Sequence, residues 1–252
     1  MRRLPLLLWR SDLLRQTAIV LAGFWVYKQG RHIFEPNWPL AMENAHRIFR
    51  FEQLFHLAWE DSLQNAFLQV PELIRALNVF YLSGHFILTG LFFVWLYFRS
   101  REGFGSFRNG FLIATALSLL IHWSFPTAPP RVAGLGLTDT LATFSNIHIG
   151  SPTMEGSFSN PVAAVPSLHA GWALAVGVGM VLYGRWFVTR LLGVVYPAVV
   201  TLTIIVTGNH FVVDAIAGDL VMGVGFLAAW RLWPVPQRRA ILEPATRGGA
   251  VR

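Results

Sequence analysis

Five long apolar runs restrict what this chain can fold into. They occupy residues 73–98, 104–125, 168–183, 187–207 and 211–233. A transmembrane helix needs about 17–25 mainly apolar residues, whereas a soluble helical protein needs charged faces between such runs. Only 13% of the 252 residues are charged, and 54% are hydrophobic. The sequence therefore predicts one all-α domain, covering residues 1–252, that is integral to a membrane.

Two further segments complete the predicted architecture. The apolar stretch at 13–27 predicts a first spanning helix, and the bulky residues at 24–27 leave no small-residue site for signal cleavage. Residues 38–70 place apolar positions at helical spacing, with charged residues on other faces, which predicts an amphipathic helix along the membrane surface. Packing of this segment on a soluble domain is the alternative, but no such domain is left. We expect an all-α bundle of six transmembrane helices, with the interfacial helix between the first and the second.

The distribution of charge predicts which side of the membrane each loop faces. The net charge is +7, but the sequence has no basic stripe with interleaved aromatics, so nucleic acid is not an expected partner. Six spans place residues 1–12, the loops at 99–108 and 184–190, and the tail at 234–252 on one side, which carries most of the 20 Lys and Arg residues. The positive-inside rule makes that side cytoplasmic. The loop at 127–165 then faces the extracytoplasmic side of a multi-pass plasma-membrane protein.

Polar residues of reactive type gather at this extracytoplasmic level. Ser167 lies at the predicted start of a helix, where free N–H groups form an anion site, and His169 lies in the same first turn. His210 and Asp214 are four residues apart, so on one helix the carboxylate can orient the imidazole and leave Nε2 as a nucleophile. Arg131 offers a planar cation suited to phosphate oxygens.

Other polar residues of the spans have less direct connections to such a site. We expect His85 and His122 to approach it from neighbouring helices, with an interhelical hydrogen bond as the alternative for each. Asp219 points away from His210 on the same helix and predicts a structural polar contact. The chain has no cysteine, and its histidine spacings are not those of a metal site, so no metal or other cofactor is expected.

Three short motifs resemble those of the type 2 phosphatidic acid phosphatase superfamily. Residues 166–169, Pro-Ser-Leu-His, are similar to its P-S-x-H motif, and His210 and Asp214 match the H-x-x-x-D end of its third motif. Residues 129–131, Pro-Pro-Arg, resemble the end of its first motif. The resemblance implies a metal-independent lipid phosphatase or phosphotransferase that acts on a phospholipid headgroup or a polyprenyl phosphate.

The resemblance also implies a role for each candidate residue. His210 would attack phosphorus, Asp214 would orient it, and His169 would protonate the leaving oxygen. Arg131 and Ser167 would bind the phosphoryl oxygens. Water, an alcohol or a lipid acceptor would then resolve the phosphohistidine, so hydrolysis and headgroup transfer both stay open.

The sequence departs from the superfamily pattern at two phosphate-binding cations. Thr203 and Ile204 replace the Ser-Arg that usually opens the third motif, and Ser124 replaces a Lys of the first motif. Leu168 replaces the usual Gly, and its surroundings are similar to the branch that contains inositol phosphorylceramide synthase. A phosphodiester donor, with less charge than a phosphomonoester, would suit the missing cations. A transporter, a lipid-binding membrane protein and an inactive member of the superfamily are the alternatives.

Overall fold

The computed structural model describes residues 3–30, 33, 35–148 and 162–233, with side chains from residue 12 onward. Within these residues the regular secondary structure is helical, apart from an isolated β-bridge between Thr127 and Ala163, and the predicted all-α class is confirmed. The helices are α1 (Arg3–Gly30), α2 (Trp38–Leu54), α3 (Glu60–Leu68), α4 (Pro71–Val79), α5 (His85–Arg99), α6 (Arg101–Ser124), α7 (Thr140–Ser145), α8 (Leu168–Tyr183), α9 (Phe187–Val206) and α10 (Val212–Leu232). The predicted tail at 234–252 and residues 149–161 of the predicted loop lie outside the described residues.

Four helical stretches are long and apolar enough to cross a membrane. They are Pro71–Arg99, Arg101–Ser124, Phe187–Val206 and Val212–Leu232. The first joins α4 and α5 through a π-helical turn at Phe80–Gly84. α8 is apolar but has only 16 residues, and α1 is not among the four. The protein is therefore a multi-pass membrane protein, and the count of six spans stays a prediction.

Small residues bring the central helices of the bundle close together. α8 packs against α9 and α10, and α10 packs against α6. Gly171 of α8 faces the carbonyl oxygen of Gly218 in α10, which a Cβ on Gly171 would approach to 2.7 Å. Gly177 of α8 faces the Gly193 carbonyl of α9 in the same way. Because the backbones are this close, the N-terminal ends of α8 and α10 meet, and the Ser167 N–H bonds the Asp214 carbonyl.

The segment predicted as a single helix at 38–70 is two helices, so that prediction was wrong in its continuity. The chain turns between α2 and α3, where His56 has a φ of 57°. Glu52 and Glu60 are 0% and 1% exposed, whereas Phe51 and Leu54 are 47% and 73% exposed. The polar positions are buried because they reach the start of α10. A location at the membrane surface stays a prediction.

Candidate active site

The start of α8 is fixed by Ser167. Its hydroxyl caps the helix by accepting the Ala170 N–H at 3.4 Å, a frequent use of serine at this position. Its own N–H donates to the Asp214 carbonyl at 2.9 Å. Ser167 is fully buried, so it ties the beginning of α8 to α10, and His169 follows in the first turn of α8.

His210 lies two residues before α10, and not on that helix as the sequence spacing suggested. Its Nδ1 is 3.0 Å from the Ala164 carbonyl oxygen and 3.3 Å from Asp214 Oδ2. A carbonyl oxygen can only accept, so Nδ1 carries the proton and Nε2 keeps its free electron pair. Burial lowers the pKa of His210 to about 4, which makes the imidazole neutral at physiological pH. A neutral imidazole with a free Nε2 is a competent nucleophile.

Asp214 occupies the first turn of α10 and is fully buried. In addition to its contact with His210, Oδ2 accepts the N–H of Phe211 at 2.9 Å. The positive end of the helix dipole favours a negative charge at this place. Asp214 is therefore held by its own helix while it orients the histidine that precedes that helix.

His169 and His210 face each other, with ring centroids 5.8 Å apart. His169 stacks on Tyr81 at 4.4 Å between centroids. Its Nε2 is buried and has no hydrogen-bond partner among the described residues. An imidazole nitrogen in this position can exchange a proton with a substrate oxygen bound between the two rings.

The two histidines expected from neighbouring helices both reach the site. His122 Nε2 lies 3.1 Å from the carbonyl oxygen of Pro166, so it fixes the segment that leads into α8. His85 Nδ1 lies 2.9 Å from the Tyr196 hydroxyl, and the His85 ring is 5.1 Å from that of His169. His85 therefore combines proximity to His169 with an interhelical hydrogen bond, whereas His122 bonds a residue that precedes α8.

Arg131 is presented by a short 3-10 turn at Pro130–Val132. Its Nε donates to Asn209 at 3.0 Å and its Nη1 donates to Asp139 at 2.8 Å. Its backbone N–H donates to the Gly208 carbonyl at 2.9 Å, which ties the turn to the residues before His210. The positive charge of Arg131 acts on His210 and lowers its pKa further. Asn209 and Asp139 were missed by sequence reasoning because only folding of the loop brings them to Arg131.

Thr203, Ile204 and Ser124 occupy positions where the superfamily pattern includes two phosphate-binding cations, and none of the three is a cation. Thr203 bonds the Val199 carbonyl of its own helix at 2.7 Å, and Ile204 is fully buried. Ser124 is exposed and bonds the Ile121 carbonyl. Asp219 was predicted to make a structural polar contact, and its buried Oδ1 has no hydrogen-bond partner among the described residues.

Comparison with known proteins decides the family. A sequence model of the PAP2 (type 2 phosphatidic acid phosphatase) superfamily matches residues 46–228. The chain belongs to the PAP2 superfamily. Members of this superfamily are phosphatases and phosphotransferases, and this membership supports the prediction that the chain is an enzyme.

Two relatives give this PAP2 protein its context. It is 29% identical over 159 residues to the phosphoinositol dihydroceramide synthase of Bacteroides thetaiotaomicron, covering 54% of this chain and 49% of the relative. The chain thus spans about half the length of that relative. The crystal structure of Aquifex aeolicus LpxE has a TM-score of 0.45 and 16% identity, covering 65% of this chain and 94% of LpxE. The match to a phosphoinositol dihydroceramide synthase agrees with the predicted resemblance to the branch of inositol phosphorylceramide synthase.

Proposed function

We propose that this PAP2 protein is a lipid phosphotransferase that moves a phosphate-linked headgroup from a donor phospholipid to the hydroxyl of an acceptor lipid. The observation that carries the proposal is the charge balance at Arg131, because this guanidinium is bonded to Asp139 at 2.8 Å. Ile204 and Ser124 stand where the superfamily has two more cations. A site with little net positive charge suits a phosphodiester, with one negative charge, better than a phosphomonoester, which carries about −1.5 to −2 at neutral pH.

The name of the relative supports a more specific version of the proposal. By its name, a phosphoinositol dihydroceramide synthase makes a dihydroceramide that carries a phosphoinositol headgroup. We therefore assign the donor as a phosphatidylinositol-type lipid and the acceptor as a ceramide-type primary alcohol. The positive-inside topology supports an active site at the extracytoplasmic leaflet of the plasma membrane.

In the first half-reaction, Nε2 of neutral His210 attacks phosphorus while the bond from phosphorus to the diacylglycerol oxygen breaks. His169, protonated while the anionic donor is bound beside it, gives its proton to that leaving oxygen. Asp214 holds the Nδ1–H of His210 as the ring becomes cationic. Arg131, and the free N–H groups of the α8 N-terminus beside Ser167, bind the phosphoryl oxygens in the transition state.

In the second half-reaction, the acceptor hydroxyl attacks the phosphohistidine. Its proton passes to His169, which the first half-reaction left neutral, and the bond from phosphorus to His210 Nε2 breaks. Both catalytic groups thereby return to their starting protonation states. The burial of His210, which is 5% exposed, favours transfer to a lipid hydroxyl over attack by bulk water.

The test uses purified protein in detergent micelles with a fluorescent ceramide and phosphatidylinositol. We expect a fluorescent inositol-phosphate product and an equal amount of diacylglycerol. His210→Ala should abolish both, while His148→Ala, at an exposed position, should match the wild type. Release of the phosphorylated headgroup into water without labelled product would identify a hydrolase and refute transfer. If the wild type and His210→Ala are equally inactive on a panel of phospholipids and polyprenyl phosphates, the proposal that the protein is an enzyme is refuted.

The orientation has a separate test. A reporter enzyme fused after Trp233 should read as cytoplasmic in intact cells. An extracytoplasmic reading would place the site at the opposite leaflet.

A further inference from the structure

Two buried glutamates hold the N-terminus of α10, the helix that carries Asp214. Glu52 Oε1 accepts the Val213 N–H at 2.7 Å, and Glu60 Oε1 accepts the Val212 N–H at 2.8 Å. These glutamates come from α2 and α3, which precede α10 by more than 140 residues. The first N–H groups of a helix usually find one capping side chain or water. Here consecutive N–H groups of the first turn end on carboxyl oxygens from two other helices.

The two carboxyls act as one unit. The Oε2 atom of each is buried and has no hydrogen-bond partner among the described residues, and each carboxyl is close enough to the other to affect its pKa. Burial raises the pKa of both, that of Glu52 to about 9. Two adjacent buried carboxylates cannot both be ionised without a large free-energy cost. A pair that holds one proton carries a single negative charge and avoids this cost.

We propose that Glu52 and Glu60, sharing one proton, are positioning residues that clamp the first turn of α10 and so keep Asp214 aligned with His210. The inference rests on the proposed function, because positioning matters only if His210 attacks phosphorus. Val212 and Val213 are the residues through which the clamp acts, since both lie in the four-residue interval between the catalytic histidine and its aspartate. The Nδ1–Oδ2 distance is already 3.3 Å, so a looser turn would readily break this contact.

The proton of the pair makes the clamp sensitive to pH. The titratable groups that act on Glu52 are Glu60 on α3 and Asp214 on α10, with His210 beyond Asp214. All of the acting groups on these two helices are acids, so loss of the shared proton adds repulsion at the N-terminus of α10. Turnover should therefore fall when alkaline pH removes that proton. A glutamine in place of Glu52 has no proton to lose and should not show this fall.

The test combines turnover of fluorescent ceramide with backbone hydrogen exchange of the peptide that contains residues 211–215. Glu52→Ala should speed exchange at Val213 and lower kcat about tenfold or more, with KM unchanged because Glu52 does not touch the substrate. Glu52→Gln keeps an oxygen for the Val213 N–H and a donor for Glu60. It should recover most of the lost kcat and remove the alkaline fall. Glu43→Ala and Asp61→Ala change exposed acids of the same two helices and serve as controls.

Several outcomes would overturn the positioning role. One is faster exchange in Glu52→Ala with wild-type turnover, and another is an unchanged alkaline fall in Glu52→Gln. If Glu52→Ala does not fold, the dependence of turnover on pH in Glu52→Gln alone tests the positioning role. If the wild type and His210→Ala are equally inactive on every lipid, the proposed function fails and the positioning role with it. The exchange rates would still show whether the carboxyls hold α10, so the two failures can be told apart.

Discussion

Replacing Gly218 with alanine should disable the site without altering any reactive group. Gly218 lies one turn after Asp214 in α10, and its α-carbon faces the backbone of Ser167. A Cβ at this position would lie 2.9 Å from the carbonyl carbon and 3.2 Å from the nitrogen of Ser167, with the carbonyl oxygen closer still. Real Cβ atoms essentially never come closer than 3.0 Å to another heavy atom. The obstructing atoms are backbone, so rotation of a side chain cannot relieve the contact.

The size of the effect follows from this geometry. α8 and α10 must separate by roughly 1 Å, and a displacement of that size at an active site can lower turnover about 10²-fold. Overpacking destabilises by about 1–3 kcal/mol. Loss of the hydrogen bond from Ser167 N–H to the Asp214 carbonyl, 2.9 Å long, adds about 1 kcal/mol. We therefore expect Gly218→Ala to lose about 2–4 kcal/mol of stability and most of its activity.

A matched control exists on the same helix. Gly223 has no heavy atom within 4 Å of an added Cβ, so Gly223→Ala should gain up to about 1 kcal/mol from helix propensity and keep its activity. Thermal unfolding in detergent and turnover of fluorescent ceramide measure the two effects. If Gly218→Ala and Gly223→Ala behave alike in both assays, the close approach of α10 to Ser167 is not what holds the site together.

Three further predictions follow from the site and its surroundings. Asp139→Asn keeps the oxygen that caps α7 but removes the charge that balances Arg131. Turnover of phosphatidic acid relative to phosphatidylinositol should rise several-fold in a two-donor competition, and an unchanged ratio would contradict the charge-balance argument. Ile204→Arg restores the cation that the superfamily has at this position. It should lower the melting temperature and not raise turnover, because Ile204 is fully buried and an unpaired buried charge costs several kcal/mol. A variant as stable as the wild type would refute this prediction. Thermal stability of the wild type should fall as pH rises from about 5 to about 9, because the pKa of Glu52 is about 9 when folded against an ordinary value of 4.5, so only the unfolded chain releases the proton in that window. Glu52→Gln should flatten this slope, and equal slopes for the two proteins would count against the buried acid pair.

Sequence reasoning predicted well the parts of the molecule that depend on residues close together in the chain. Apolar runs identify spanning helices because lipid contact requires about 20 apolar residues in succession. Ser167 and His169 could be placed because a helix start has its own residue preferences. His210 and Asp214 could be paired from their spacing alone. The position of His210 in the loop before α10, and its contact with the Ala164 carbonyl, could not be predicted in this way.

The contacts that complete the site join residues far apart in the chain, so no local sequence pattern predicts them. Asp139 reaches Arg131 through the fold of an irregular loop, and Glu52 reaches Val213 across 161 positions. The turn that separates α2 from α3 was also missed. It places His56 at a positive φ, a conformation that glycine adopts most readily, and no glycine is present there.

The burial of Glu52 and Glu60 shows that, in this protein, the charged positions of an amphipathic helix can be the buried ones. In a soluble domain the apolar face of a helix packs inward and acids face water. In α2 the exposed side carries Phe51 and Leu54, at 47% and 73% exposure, while Glu52 is fully buried. Near a membrane, apolar side chains lose little by facing outward, and buried backbone N–H groups must find partners within the protein. An acid on such a helix is therefore a candidate partner for the free N–H groups of a neighbouring helix start, and here those N–H groups belong to the helix that orients His210.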